Sequence, residues 1–366
     1  MNLAQAPDIS ASSAQLDQLT GLRGLAAWFV VLYHIRLSLA EILPAPVIAG
    51  FSKGYLAVDL FFMLSGFVMW LSYQQRFRSQ GAAQIGPFLW KRFARIWPLH
   101  ALILALFAAF AGVLAITGRP LEDYSFAELP LHILLIHNWG LTSEIAWNDP
   151  SWSISTEFGA YLLFPLLVLG VRWERLGIGV LVMVLGALAL GLHSWFALQG
   201  HVILDADIAR TGLLRCLIEF TMGIVLANIW QRQRDARHRA LAPLAAMIAA
   251  AGAGIAGSLP ETLFVPAMIA ALLLTLALDH GLAARLLGSR ALVAIGDWSY
   301  ATYLSHFLLF ILFKILFVGE DLQIGWAGLG GFVGIVLFSS AILYTWAEKP
   351  AQRWLNSRRP LTLRSA

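Results

Sequence analysis

The sequence predicts an all-α protein, a polytopic transmembrane bundle of about ten helices with both termini in the cytoplasm. Three observations predict it. Apolar residues make up 59% of the 366-residue chain and charged residues 13%, against roughly half and a quarter in soluble proteins. Apolar runs of about 20 residues, the length that closes its own backbone hydrogen bonds across lipid, recur along the chain. The basic residues fall in short clusters between those runs.

The runs are 20–41, 55–74, 94–117, 152–171, 176–196, 209–230, 240–257, 262–279, 299–318 and 325–347. One set of alternate loops holds Arg76, Arg78, Lys91, Arg92, Arg95, Arg172, Arg175, Arg232, Arg234, Arg237, Arg239, Arg285, Arg290, Lys349, Arg353, Arg358, Arg359 and Arg364. The other set holds Lys53, Arg119 and Arg210, with acidic residues that include Glu122, Asp149, Asp205, Glu261, Glu320 and Asp321. Basic loops stay inside, so the first set is assigned to the cytoplasm. The pI near 9.4 therefore reads as membrane topology, and no nucleic-acid partner is expected.

The chain divides into a cytoplasmic tail, 1–19, a membrane domain, 20–348, and a basic cytoplasmic tail, 349–366. The first residues lack the basic region of a signal peptide. Cys216 is the single cysteine, so it reads as an apolar helix residue and no metal site is expected. The longest link, 120–151, contains LPLHILLIHNWG, too short to span; it reads as a re-entrant or interfacial segment, or part of a lid. Trp139, Trp147 and Trp152 read as interfacial belt residues.

Ionisable residues within spans face the bundle interior or a wet cavity. The candidates are Arg23, His34, Arg36, Asp59, Glu157, Arg215, Glu219, His306 and Lys314. Arg23 and His34 are eleven residues apart, so they share a helix face about 16 Å apart along the axis. Arg23 lies at the cytoplasmic mouth, suited to binding an anion, and His34 lies deep, suited to act as a base. Glu157 lies at a similar depth and is expected to orient His34. Arg92 and Arg95 are one turn apart on the cytoplasmic side and suit a polyanion. Ser151 and Ser153 read as helix caps, and Asp59 reads equally as a cap or a chemical group.

The motif R-x10-H (Arg23 to His34), GYLAVDLFFMLSGF (Gly54 to Phe67), RFARIWP (Arg92 to Pro98), WSISTEF (Trp152 to Phe158) and GDWSYATYLSH (Gly296 to His306) resemble, in order, the motifs of the acyltransferase 3 family. The resemblance implies a membrane O-acyltransferase of the bacterial inner membrane. Its members move acyl groups, often acetyl from acetyl-CoA, to hydroxyls of extracytoplasmic glycans, glycolipids or glycosides. It implies functional roles for Arg23 and His34, for Arg92 and Arg95, and for Glu157. Some members carry a fused extracytoplasmic hydrolase-like domain. This sequence shows none, so an acyl relay would need a separate extracytoplasmic protein. Leu308 stands where the family usually has Pro, which weakens the case for His306.

The resulting expectation is a donor, acetyl-CoA or another acyl-CoA, with its phosphates at Arg23, Arg92 and Arg95. His34 acts as general base for an acceptor hydroxyl, by direct transfer or through a transient acyl-histidine. Asp59, Ser65, Tyr300, Tyr303 and His306 are further candidates, and no tightly bound cofactor is expected. The alternatives are a transporter of a glycolipid or small molecule, and a non-catalytic envelope scaffold; buried charges in ten spans fit a transporter equally well. The acceptor and the acyl group carry no sequence code.

Overall fold

The structure, a computed structural model, describes residues 17–234, 240–319 and 322–358. The tail up to residue 16, Arg237, Arg239, Glu320, Asp321, Arg359 and Arg364 lie outside the described residues. Among the described residues there is no strand. Ten helices of fifteen residues or more follow in order: α1 Asp17–Ile35, α2 Ala57–Gln80, α3 Ile85–Ile116, α4 Ser151–Gly170, α5 Ile178–Leu198, α6 Ile208–Gln233, α7 Leu241–Ile255, α8 Glu261–Leu278, α9 Arg290–Phe317 and α10 Trp326–Ile342.

Eight segments are long and apolar enough to cross a membrane. One of them, Ala45–Ile116, contains both α2 and α3, which turn at Gly81, where φ is 60° and glycine is favoured. The remaining question is α7, with fifteen residues against the ~20 of an ordinary span. Its neighbours settle its direction. Leu204 N, just before α6, donates to Glu261 Oε1 at the first residue of α8 (3.0 Å). Trp230 Nε1, near the end of α6, donates to Ala277 O, near the end of α8 (2.8 Å). The two helices run parallel, so α7 carries the chain back between them. Each of the ten expected runs is thereby matched by a helix that traverses the bundle.

The ends differ from the expected ones. α3 begins at Ile85 rather than 94, and α9 at Arg290 rather than 299. Charged residues stop an apolar run without stopping backbone hydrogen bonding. α10 continues through a π-helical turn, Leu343–Glu348, into the helix Lys349–Ser357, so the expected basic tail begins as helix.

One end of the bundle gathers the basic loops. There Arg78 donates to Glu174 Oε2 and Val171 O (both 2.8 Å), Arg232 to Glu174 O (2.8 Å), and Gln18 to Leu276 O (3.0 Å). Trp90 docks the C-terminal helix through Leu355 O (3.2 Å). At the other end Lys53 pairs with Glu261 (2.7 Å) and Tyr33 donates to Asp205 (3.2 Å).

Two helix pairs approach to backbone contact, as small residues allow. On α1 and α9, a Cβ on Gly24 would stand 2.7 Å from Gly296 N, and one on Gly296 2.0 Å from Thr20 O. On α2 and α6, Cβ atoms on Gly66 and Gly223 would each stand 1.9 Å from the facing carbonyl. A buried ion pair locks the second contact. Arg215 donates to both oxygens of Asp59 (2.8 and 2.6 Å) and to Leu204 O (2.8 Å). The capping role considered for Asp59 is not seen. Asp59 is the third residue of α2, and the cap position, Leu56, makes no side-chain bond. A bidentate guanidinium takes both carboxylate oxygens in the interior.

Arg215→Met leaves Asp59 buried without its partner, and the expected loss is about 3–5 kcal/mol. Gly296→Ala forces α1 from α9 and is expected to cost about 1–3 kcal/mol. Thermal unfolding in lipid nanodiscs measures both; an unchanged midpoint would show the contact is not made.

Candidate active site

The arginines expected at one mouth do converge. Arg23, Arg92 and Arg95 line a cavity of about 200 Å³ together with Ser65, Glu157 and Tyr300. α3 brings Arg92 and Arg95 to one face by their one-turn spacing. Each guanidinium has a fixed partner. Arg23 donates to Gly296 O (2.9 and 3.3 Å), across the glycine contact of α1 and α9. Arg92 donates to Tyr73 OH (3.1 Å), and its Nε is buried without a partner among the described residues. Arg95 pairs with Glu348. Tyr73 and Tyr161 flank Arg92, and Tyr300 flanks Arg95 at 5.3 Å. Tyr300 itself donates to Ile96 O (2.5 Å). Three guanidinium groups against Glu157 and Glu348 leave this inner chamber positive.

Glu157 belongs to this chamber. It accepts hydrogen bonds from Ser65 Oγ and Tyr161 OH, both at 2.6 Å. The expected contact with His34 is not made. Glu157 lines the cavity of Arg23, toward the other end of α1 from His34, and its carboxylate is held by Ser65 on α2 and Tyr161 on its own helix.

His34 lines a second cavity of about 340 Å³, with Tyr33, Tyr55, Asp149, Trp152 and Asp205. Its Nδ1 lies 2.9 Å from Val30 O and 3.1 Å from His306 Nε2. Burial pushes the Asp149 carboxyl up to about 6 and raises Asp205 as well. Tyr303 lines both cavities. Its hydroxyl lies 2.8 Å from Ser153 Oγ, and this pair forms the wall between the chambers. The capping expected of Ser151 and Ser153 is not seen. α4 is capped at Pro150 without a side chain, Ser151 Oγ faces His137 (3.3 Å), and Ser153 donates to Pro150 O (3.1 Å).

The link 117–150 is packed onto the end of the bundle opposite the basic loops. Trp147, expected in an interfacial belt, is 2% exposed and bonded to Ser125 O (3.1 Å). Trp139 donates to Ser155 O (2.9 Å), and Trp152 lies under the Arg215 guanidinium (5.6 Å). His132 and His137 stack at 3.9 Å, and burial, with His100 beside it, pushes His132 down to about 3. Asn148 donates to Leu304 O on α9 (3.0 Å). These contacts make the link a fixed cover rather than a loose lid. Among the described residues, no group of three or more His, Cys, Asp or Glu is placed to hold a metal.

Sequence reasoning missed Tyr33, Tyr161, Asp149, Asp205 and Glu348 as site residues. Tyr161 stands four residues after Glu157, which on a helix is one turn. Glu348 was the carboxylate among basic residues at the end of the tenth run.

The chain matches the family described as an acyltransferase domain, Acyl_transf_3, over residues 16–345. It is 29% identical to acyltransferase MdmB of Streptomyces mycarofaciens, over 95% of this chain and 94% of that protein. It is 43% identical to protein 2 in the picA locus of Rhizobium radiobacter, over 28% of this chain and 49% of that protein. It is 24% identical to peptidoglycan O-acetyltransferase OatA of Listeria monocytogenes, over 69% of this chain and 39% of that protein. No solved structure matches. The family match runs from α1 to α10 and takes in both chambers, so the chain belongs to the acyltransferase 3 family and is a multi-pass membrane acyltransferase.

Proposed function

We propose that the enzyme moves an acetyl group from acetyl-CoA to a hydroxyl of a carbohydrate-containing acceptor outside the cytoplasm, with His34 as general base. The observation that carries this reading is the pair of unlike chambers that meet at Tyr303. The inner one offers three guanidinium groups, which suit the phosphates of an acyl-CoA. The outer one offers a histidine, aromatic rings and two carboxylates, which suit a polyhydroxylated acceptor. The name of the Listeria relative, a peptidoglycan O-acetyltransferase, supports acetyl as the group and a glycan as the acceptor. The basic loops at the arginine end support a cytoplasmic face there, and hence an inner-membrane location.

The donor lies with its phosphates on Arg23, Arg92 and Arg95 and its thioester toward Tyr303. The ~16 Å rise from Arg23 to His34 suits an extended pantetheine arm. The acceptor oxygen loses its proton to His34 and attacks the thioester carbonyl. The C–S bond breaks, and the thiolate takes the proton from His34, so protons balance without an external acid. Glu157, held by Ser65 and Tyr161, sets the charge and shape of the donor chamber.

Acetyl-CoA carrying a 13C label, p-nitrophenyl glycosides of neutral hexoses and protein in nanodiscs test the reaction. Ester-bound label on the glycoside is expected by mass spectrometry; no ester with any glycoside would remove carbohydrate from the reading. His34→Ala is expected to lower transfer by about 10²–10⁴-fold, and full activity would sink the base assignment. Arg23→Ala is expected to weaken acetyl-CoA binding by about 1.5–3 kcal/mol, read by calorimetry. Tyr303→Ala opens the wall, so release of free CoA without ester formation is expected to rise. Asp149 has a folded pKa raised to about 6, so its ionised form opposes folding above that pH, and the penalty fades as pH falls toward its unfolded value. Asp149→Asn is therefore expected to raise the thermal midpoint at pH 8 and to have little effect at pH 4.

A further inference from the structure

We infer that His306 is a positioning residue for His34, accepting its Nδ1–H so that the bare Nε2 faces the outer chamber. The protonation pattern follows from the partners. His306 Nδ1 lies 2.8 Å from Tyr303 O and 3.2 Å from Thr302 O. Carbonyls only accept, so Nδ1 carries the hydrogen, and the neutral ring leaves Nε2 as an acceptor. That acceptor faces His34 Nδ1 at 3.1 Å. The other neighbour of His34 Nδ1 is Val30 O at 2.9 Å, also an acceptor. His34 Nδ1 must therefore be the donor to both. Its Nε2 is left as the basic nitrogen, without a partner among the described residues, on a side chain that lines the outer chamber.

Among the described residues, no carboxylate fills the orienting position. Glu157 is committed to Ser65 and Tyr161 in the other chamber. Asp205 accepts from Tyr33. Phe307 and Tyr33 brace the His34 ring edge-on at 5.3 and 5.0 Å, so the ring has few other ways to sit. His306 is wholly buried, and its own orientation is fixed by the α9 backbone.

The inference rests on the reading of His34 as base. When the acceptor O–H breaks and its proton reaches His34 Nε2, the ring becomes an imidazolium, and the Nδ1–H bond to His306 becomes charge-assisted. A bond that strengthens in the transition state lowers the barrier. The proton returns from Nε2 to the CoA thiolate as the C–S bond breaks. His306 neither gains nor loses a proton.

Solid-state NMR on 15N-histidine-labelled protein in lipid tests the contact without any acceptor. A correlation between a protonated Nδ1 and an unprotonated Nε2 is expected, and it should vanish in both His34→Ala and His306→Gln. Its absence from the unsubstituted protein, or its persistence in either variant, would overturn the inference. Kinetics with acetyl-CoA and the best glycoside of the panel test the consequence. His306→Phe keeps the ring but lacks an acceptor, and kcat is expected to fall about 10- to 100-fold with KM for acetyl-CoA unchanged. His306→Gln presents an amide oxygen in place of Nε2 and is expected to recover most of the loss. An unchanged kcat in His306→Phe, or a Gln variant no better than Phe, would overturn the role. Full activity in His34→Ala would instead defeat the base reading and leave the nitrogen–nitrogen contact standing.

Discussion

The contact of α1 with α9 is the constraint on which the rest of the site depends. Arg23 bonds Gly296 at one end, and His34 meets His306 at the other. Eleven residues separate the first pair of partners on α1 and ten the corresponding pair on α9. At 1.5 Å per residue, the two helices therefore run parallel and in register. Their closeness comes from Gly24 and Gly296, which leave no room for a side chain between backbones. With a larger residue there, the guanidinium would lose its carbonyl and the histidines would separate. One packing interaction thus sets the spacing between the Arg23 guanidinium and the His34 ring.

Low dielectric governs the other charges. A charge in the bundle interior is costly unless it is paired, and each inward arginine has a specific partner. Arg215 has Asp59, Arg95 has Glu348, Arg92 has Tyr73 and Arg23 has a backbone carbonyl. The partners differ in how much charge they cancel. Arg215 is fully matched by a bidentate carboxylate and serves the packing of α2 on α6. Arg23 and Arg92 are matched only by neutral oxygens, so they retain their attraction for an incoming anion. The partner, and not burial alone, sets how much positive charge each arginine leaves over, and Arg95 with Glu348 falls between the two cases.

Much of this was legible in the sequence. The period of apolar runs gave ten helices, and the helical spacing of Arg23 and His34 placed them on one face. Alternation of basic loops gave the two ends. Contacts between distant helices were not legible, because depth in a membrane says nothing about direction around a helix. Glu157 was expected beside His34 and lies instead with Arg23 and Arg92, bonded to Ser65 and Tyr161. Asp59 read equally as a cap or a chemical group because local sequence cannot show Arg215 arriving from α6. The helical continuation past Lys349 was hidden because charge ends an apolar run but leaves the backbone free to continue.

The wall at Tyr303 bears on why the site has two chambers at all. A thioester exposed to water is lost to hydrolysis, and an enzyme that excludes water keeps its donor for the acceptor. The outer chamber holds carboxylates and a histidine, while in the proposed reaction the inner chamber takes the donor. Tyr303 stands between them with its hydroxyl tied to Ser153 and its carbonyl tied to His306. The same residue therefore borders the arginine-lined chamber and anchors the histidine that meets His34. In the proposed reaction, a movement of Tyr303 that admits the thioester acts on the backbone that carries His306, which links access to the outer chamber with the setting of His34. The link needs no added domain, because a single turn of α9 carries both residues.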